Sequence, residues 1–294
     1  MNTKNITILI VILISLISCE KEIPLKQDEV KPRIVINSAF TADSACFIQL
    51  SASGSVLENE NELPNIDNAT AELFDANQNL LGEFTHINGG YYYLPSFLPT
   101  AGQSYSLEVN APEFETATST TYIPEPIQII QVDTTTAIPD NQIQFNITFK
   151  DNVNKKNYYG LSIIRHTEVY DSLSGINYIL DNKYFYTNEV YVENGTNDFG
   201  SEKYDQIFLF NDESFNGQTV NFEATHNLAN ENQIFTVILT NLSEDLYKYK
   251  SSYIEYWNTQ DNFFAQPVQV YSNVENGFGI FAGYTESRDS IFVQ

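Results

Sequence analysis

In residues 142–150, QIQFNITFK, the apolar side chains Ile143, Phe145, Ile147 and Phe149 fall on every second position with polar residues between them. A period of two belongs to a strand with one dry face and one wet face, not to a helix. Similar short segments recur at 33–37 (RIVIN), 46–51 (CFIQLS), 69–74 (ATAELF), 80–86 (LLGEFTH), 91–94 (YYYL) and 105–109 (YSLEV), then at 158–166, 184–191, 205–210, 218–224 and 233–240. Turn formers separate them, among them Asn88-Gly89-Gly90 and Thr100-Ala101-Gly102, where Gly90 and Gly102 permit turn geometry. Strands at this spacing predict a mostly β fold of sandwich or barrel type, not a βαβ sheet.

One segment breaks the pattern. In NLSEDLYKYKSSYIEYW, Ser243 can cap a helix, and Glu244 and Asp245 suit its positive end. Leu246, Tyr249, Tyr253 and Trp257 recur at three- and four-residue spacing, which predicts an aromatic stripe packed against the sheet. Pro124 and Pro126 remove two backbone donors and stiffen the chain. A boundary is expected there, with an N-terminal sandwich over 32–124 and a second β-rich domain over 125–294.

The first residues carry a different message. Lys4 precedes an apolar run from Ile6 to Ile17 that is long enough for a signal segment and too short to span a bilayer. Leu16-Ile17-Ser18-Cys19 has the order of a bacterial lipobox. The expectation is a signal peptide over 1–18, acylation of Cys19, and a charged tether over 19–31. Glu20-Lys21-Glu22 resembles the surface-export signal of lipoproteins in the Gram-negative phylum rich in Sus-type uptake systems. The implied address is the outer membrane, at the cell surface or, alternatively, on the periplasmic face.

Charge narrows the partners. The chain has 38 Asp and Glu against 14 Lys and Arg, a formal net charge of −24, which repels nucleic acid. With Cys19 acylated, Cys46 has no partner for an intrachain disulfide; it shares a strand face with Ile48 and Leu50 and reads as a small core residue. Asp75-x-Asn77-x-Asn79 starts like a calcium loop but places Leu80 at the sharp-turn glycine position and His86 at the bidentate glutamate position, so it reads as a polar hairpin turn. There is no G-x-S-x-G elbow and no H-E-x-x-H helix, and His86, His166 and His226 are widely dispersed. No catalytic residue, metal set or cofactor is therefore assigned, and a non-enzymatic protein is expected.

Two resemblances add to this reading. NATAELFDANQNLLGEFTHINGGYYYLPSFLPTAGQSYSLEVNAP resembles the transthyretin-like or carboxypeptidase-regulatory type of immunoglobulin-like sandwich, which implies that Tyr105, Leu107 and Val109 face its core. FNDESFNGQTVNF, LTNLSEDLYKYKSSYIEYW and FFAQPVQVYSNVENGFGIFAGY are similar to the C-terminal signature of a lipoprotein family known as domain of unknown function 4249. That resemblance implies an outer-membrane lipoprotein encoded beside a TonB-dependent receptor, with no established enzymatic activity; it points to a partner, and a nutrient or glycan ligand is left unidentified.

Within these motifs Val268 and Val270 alternate with Gln269 and Tyr271 as on a strand, Asn276-Gly277 reads as a hairpin turn, and Gly279 allows close backbone approach. Asp212, Phe215, Asn216 and Gly217 read as a structured turn. Partner contacts are expected from two loops, the first formed by those four residues and the second by Tyr271, Ser272, Asn273, Asn276 and Gly277. The expected function is ligand capture or gating for a TonB-dependent transporter; the alternative is a structural or adhesive surface protein. Asp-Ser or Asp-Thr pairs beginning at Asp43, Asp133, Asp171 and Asp289 resemble the O-glycosylation sequon of exported proteins of the same phylum.

Overall fold

Alternating burial organises the described residues into eighteen strands and one long helix. The structure, a computed structural model, describes residues 31–293 apart from 43, 55–62, 96, 138–141, 172–174, 182–184, 186, 188, 190–191, 197–206, 228–232 and 260–264. Cys19, the signal segment and most of the tether thus lie outside the described residues, as does most of 184–191. Residues Pro32–Gln294 form one compact unit.

The first sandwich begins with β1 (Ile34–Thr41) and β2 (Cys46–Ala52), which pair antiparallel. They share a sheet with β5 (Thr85–Asn88) and β6 (Tyr91–Leu94). The facing sheet contains β3 (Thr70–Asp75), β4 (Leu80–Glu83), β7 (Ser104–Asn110) and β8 (Ala117–Tyr122). Ile34, Ile36, Cys46, Ile48 and Leu50 from one side meet Leu73, Tyr105, Leu107 and Val109 from the other. Cys46 is fully buried, as expected, and burial pushes its thiol up to about 12.

The segment 80–86, read as one strand, is two strands in different sheets. Phe84, buried between them, donates its N–H to Ala71 O while the chain crosses from one sheet to the other. The expected polar turn before β4 is present: Asp75 Oδ1 accepts from the N–H of Asn77 and of Asn79, at 2.8 and 2.9 Å, and Oδ2 accepts from Asn79 Nδ2. These bonds from Asn79, chiefly, hold the Asp75 carboxyl below the usual range.

The second sandwich sets β9 (Ile129–Ala137), β10 (Gln142–Lys150) and β15 (Thr219–Asn227) against β11 (Tyr158–Asp171), β14 (Ile207–Asn211) and β16 (Gln233–Leu242). Ile143, Phe145, Ile147 and Phe149 are all fully buried, which matches their period. They pack with Phe208, Phe210, Phe222 and Phe235, and each such ring contributes roughly 1.5–3 kcal/mol by leaving water. Short β12 (Gly175–Asp181) pairs with β11, and β13 (Val192–Thr196) pairs with β14.

The last strands tie the two sandwiches together. β17 (Val274–Glu275) pairs with β8, and β18 (Phe278–Val293) runs through the long sheet. The first half of β18 lies parallel to β1, with Phe278 to Tyr284 opposite Val35 to Thr41; from Tyr284 to Val293 it lies antiparallel to β16. Asn276-Gly277 is therefore a corner that carries the chain from one sheet to the other, and not the expected hairpin, because β17 and β18 have different ladder partners. Gly279 has φ +100°, and a Cβ there would sit 2.0 Å from Ile36 O, so the close approach read from the sequence is real.

The helix α1 (Glu244–Thr259) covers the outer face of the long sheet. Ser243 caps it, with Oγ accepting from Leu246 N–H at 3.3 Å. Leu246, Tyr247 and Ile254 pack on Ile207, Leu209, Ile280 and Ala282. Covered on both faces, β14 has four consecutive buried residues, where a half-exposed strand would alternate. Of the aromatic stripe, Leu246 and, in part, Tyr249 pack against the sheet. Tyr249, Tyr253 and Trp257 also form a ladder of rings at 6.0 Å spacings, and Trp257 remains 37% exposed.

Candidate functional site

The two loops singled out in the sequence have different fates. Asp212 and Phe215 are buried, at 2% and 6% exposure. Asp212 Oδ2 accepts the Asn157 N–H at 2.8 Å, and Asp151 Oδ2 accepts the Gly217 N–H at 2.6 Å. Asp151 Oδ1 accepts from Tyr159 OH and from Asn157 Nδ2, and Asn241 Nδ2 donates to Asn157 Oδ1 at 3.2 Å. Burial first, then the neighbouring Asp151, raises the Asp212 carboxyl above its ordinary value. Of the four residues expected as a contact loop, Asn216 is the one whose side chain lies exposed.

The second group divides. Asn273 stands in for a strand residue: Nδ2 donates to Phe281 O at 2.8 Å and Oδ1 accepts Phe281 N–H at 3.0 Å. Asn276, at φ +56°, donates to Thr116 O, and a Cβ on Gly277 would lie 2.6 Å from Ile34 O. These three hold the corner together. Tyr271 and Ser272 belong instead to a cleft beside α1.

That cleft has a volume of about 550 Å³, within the usual range for small-molecule sites. One wall is a single face of α1 carrying Lys248, Ser251, Ser252 and Glu255, and the other is residues 269–272. The expected strand at 268–271 does not form. Pro267 lacks an N–H, and the chain is held by side chains: Ser252 Oγ accepts the Tyr271 N–H at 2.8 Å and donates to Tyr249 O at 3.0 Å. Tyr271 OH donates to Asp245 Oδ1 at 2.5 Å, and Lys248 lies 5.6 Å from the Tyr271 ring centroid while bonding Glu244 at 2.8 Å. Burial, then Asp245, raises the Tyr271 phenol, so it stays a neutral donor near pH 7.

Among the described residues, the side chains of Ser251, Glu255 and Gln269 make no hydrogen bond within the protein. A hydroxyl, a carboxylate and an amide therefore line the cleft, with Glu255 and Gln269 open to water. The sequence reading missed the α1 wall because it followed the apolar stripe. The signal was present in Lys248, Ser251, Ser252 and Glu255, whose spacing of three, four and seven puts them on one face.

The sequence profile of the family described as Domain of unknown function (DUF4249) matches residues 20–290. The chain belongs to this family. The segment that gives the cleft its second wall is part of the C-terminal signature by which the sequence resembles DUF4249. A search of curated proteins finds no match.

Solved structures give distant similarity. The FN1–FN3 domains of chicken CNTN1 are 9% identical, with 90% of this chain and 66% of that one covered and a TM-score of 0.30. The biofilm associated protein BSP domain is 11% identical, covering 90% of this chain and 29% of that one at TM-score 0.21. Parabacteroides merdae β-glucuronidase is 12% identical, covering 71% and 23% at TM-score 0.21. The chain thus spans just under two-thirds of the first of these and less than a third of the others.

Proposed function

We propose that this DUF4249 protein is a non-enzymatic outer-membrane lipoprotein, acylated at Cys19, that captures a small polar ligand for a TonB-dependent transporter. The observation that carries the capture step is the cleft beside α1, where Ser251, Glu255 and Gln269 face a cavity of about 550 Å³ without partners among the described residues. Polar side chains that line a concave site and are not tied up within the protein are available to orient a ligand. The lipobox order Leu16-Ile17-Ser18-Cys19 supports the anchor. No helix among the described residues is long and apolar enough to cross a membrane, so attachment in this reading is through acyl chains.

The test is purification of the full chain from envelopes in mild detergent. Recovery with an untagged receptor, together with loss of membrane fractionation in Cys19→Ala, is the expected result. Recovery of the lipoprotein alone under varied nutrients counts against it.

The second reading, a structural or adhesive surface protein, draws on β18. One sixteen-residue strand pairs with β1 of the first sandwich and with β16 of the second. A deletion strain with normal uptake and altered attachment would favour it.

A further inference from the structure

In the first sandwich, β1, β2, β6 and β5 lie side by side at one end of the long sheet. They contain no Asp, Glu, Lys or Arg, although such residues make up 18% of the chain. In β1, β2 and β6 alternate side chains fill the core, and the others form an outer face. On that face the rings of Phe47 and Tyr93 stack at 5.0 Å, and Tyr91 follows two positions away along β6. Phe47 is 47% and Tyr91 46% exposed. Asn37, Ala39 and Gln49 continue the face without charge. His86 is in register with core-facing Tyr92 and bonds Asp67 at 3.0 Å, so it does not belong to this face.

The opposite outer face of the same sandwich is the reverse. Glu83, Glu72 and Glu108 stand in one row across β4, β3 and β7. The row continues through Thr118 on β8 to Glu275 on β17. Like charges side by side on a sheet repel, and they keep their hydration only toward water. The sandwich is thus polar across its thickness, with acids on one side and uncharged rings on the other.

We propose that the outer face of β1, β2, β6 and β5 lies against a lipid surface, with the glutamate row turned to water. This inference rests on the reading above that Cys19 is acylated, and adds how the chain sits on its membrane. Residues 20–31 separate Cys19 from Pro32, a leash of at most about 40 Å. β1 starts two residues after Pro32, and Val35 is already on the outer face. A leash of that length does not choose an orientation by itself; charge does. With 38 acids against 14 bases, most faces would bring carboxylates against headgroup phosphates, and this one brings none. Lys31 and Arg33 stand exposed where the leash enters, and Arg33 lies 5.4 Å from the ring centroid of Phe278, the partner of Val35 on β18. Cations there suit headgroup phosphates. Exposed Tyr and Phe rings suit the boundary between headgroups and acyl chains, which is apolar on one side and wet on the other. The face need not hold the protein alone, because the acyl chains keep it within reach.

The experiment places a bimane label on Asn37→Cys or, separately, on Glu72→Cys in the full lipidated chain, held in phosphatidylcholine nanodiscs with or without a lipid that carries a quencher at headgroup depth. Cys46 is fully buried and stays unlabelled. The quencher should lower emission at position 37 about threefold or more and change position 72 little. Adding Phe47→Ser and Tyr91→Ser should restore most of the emission at position 37, with the chain still in the nanodisc and folded by circular dichroism. Equal quenching at the two positions, or stronger quenching at position 72, overturns the proposal. Disulfide-linked dimers of Asn37→Cys without quenching give the face to a second copy and overturn it as well. An intact mass that shows Cys19 without acyl chains overturns the acylation reading, and the proposal falls with it; with Cys19 acylated, the two labels test the proposal alone.

Discussion

The turn at 212–217 and the run at 269–272 look alike in the sequence: both are short, mix aromatic and polar residues, and lie in segments that carry the family resemblance. In the structure they are opposites. Around Asp212 the polar atoms face inward and are spent, as Asp151 alone accepts from Tyr159, Asn157 and Gly217. Beside Tyr271, the facing side chains of Ser251, Glu255 and Gln269 keep their capacity. The first region buries its polar groups and satisfies them within the protein, whereas the second leaves them open to water in a cleft, a distinction that residue type alone does not make.

Mutations should separate the two regions most sharply at Asp151. Replacing it with alanine strands the buried Tyr159 hydroxyl and the Gly217 N–H and removes one of the acceptors of Asn157 Nδ2, and about 3 kcal/mol or more of stability should be lost in urea unfolding. Gly279→Ala forces a side chain into a left-handed position against Ile36 O, and about 2 kcal/mol or more should go, read in the same way. If Gly279→Ala is neutral, the shared strand is not as tightly held as the pairing of β1 and β18 implies.

Ser252→Ala tests the cleft wall. It removes the acceptor for the Tyr271 N–H, so roughly 1 kcal/mol should be lost, with faster hydrogen exchange at Tyr271.

A pH comparison gives a smaller, signed effect. The folded chain holds the Asp212 proton more tightly than the unfolded chain does, because burial and Asp151 raise that carboxyl. Stability from this group is therefore full below the ordinary carboxyl range and falls as pH rises through the raised value. Asp75 has the opposite sign, since its lowered carboxyl contributes above the ordinary range and loses that contribution in acid. Subtracting the urea midpoints of Asp212→Asn from those of the parent between pH 3 and 7 should leave a downward slope with rising pH. A flat difference would mean that the turn is more open than its 2% exposure implies.

How much of this was legible follows the same division. The alternation in β10 predicted four core residues because a half-buried strand records its environment in its own period. The sequence also showed Gly279, the Asp75 turn and the Ser243 cap, each a local device with a local signature. The sheet switch at Phe84 was hidden, since β4 and β5 are mostly exposed and carry no alternation. The parallel pairing of β1 with β18 joins residues more than two hundred positions apart, and nothing in either segment names the other. The cleft was half legible: Tyr271 and Ser272 were singled out, but their partners on α1 became visible only when tertiary packing chose Leu246, Tyr247 and Ile254 as the buried face.

The most direct test sets one residue from each region against the other in a single titration. In urea unfolding of the full chain, Asp151→Ala should lose about 3 kcal/mol or more, whereas Glu255→Gln should change stability by no more than about 0.5 kcal/mol. Unchanged stability in Asp151→Ala beside a large loss in Glu255→Gln would reverse the assignment of scaffold and cleft wall.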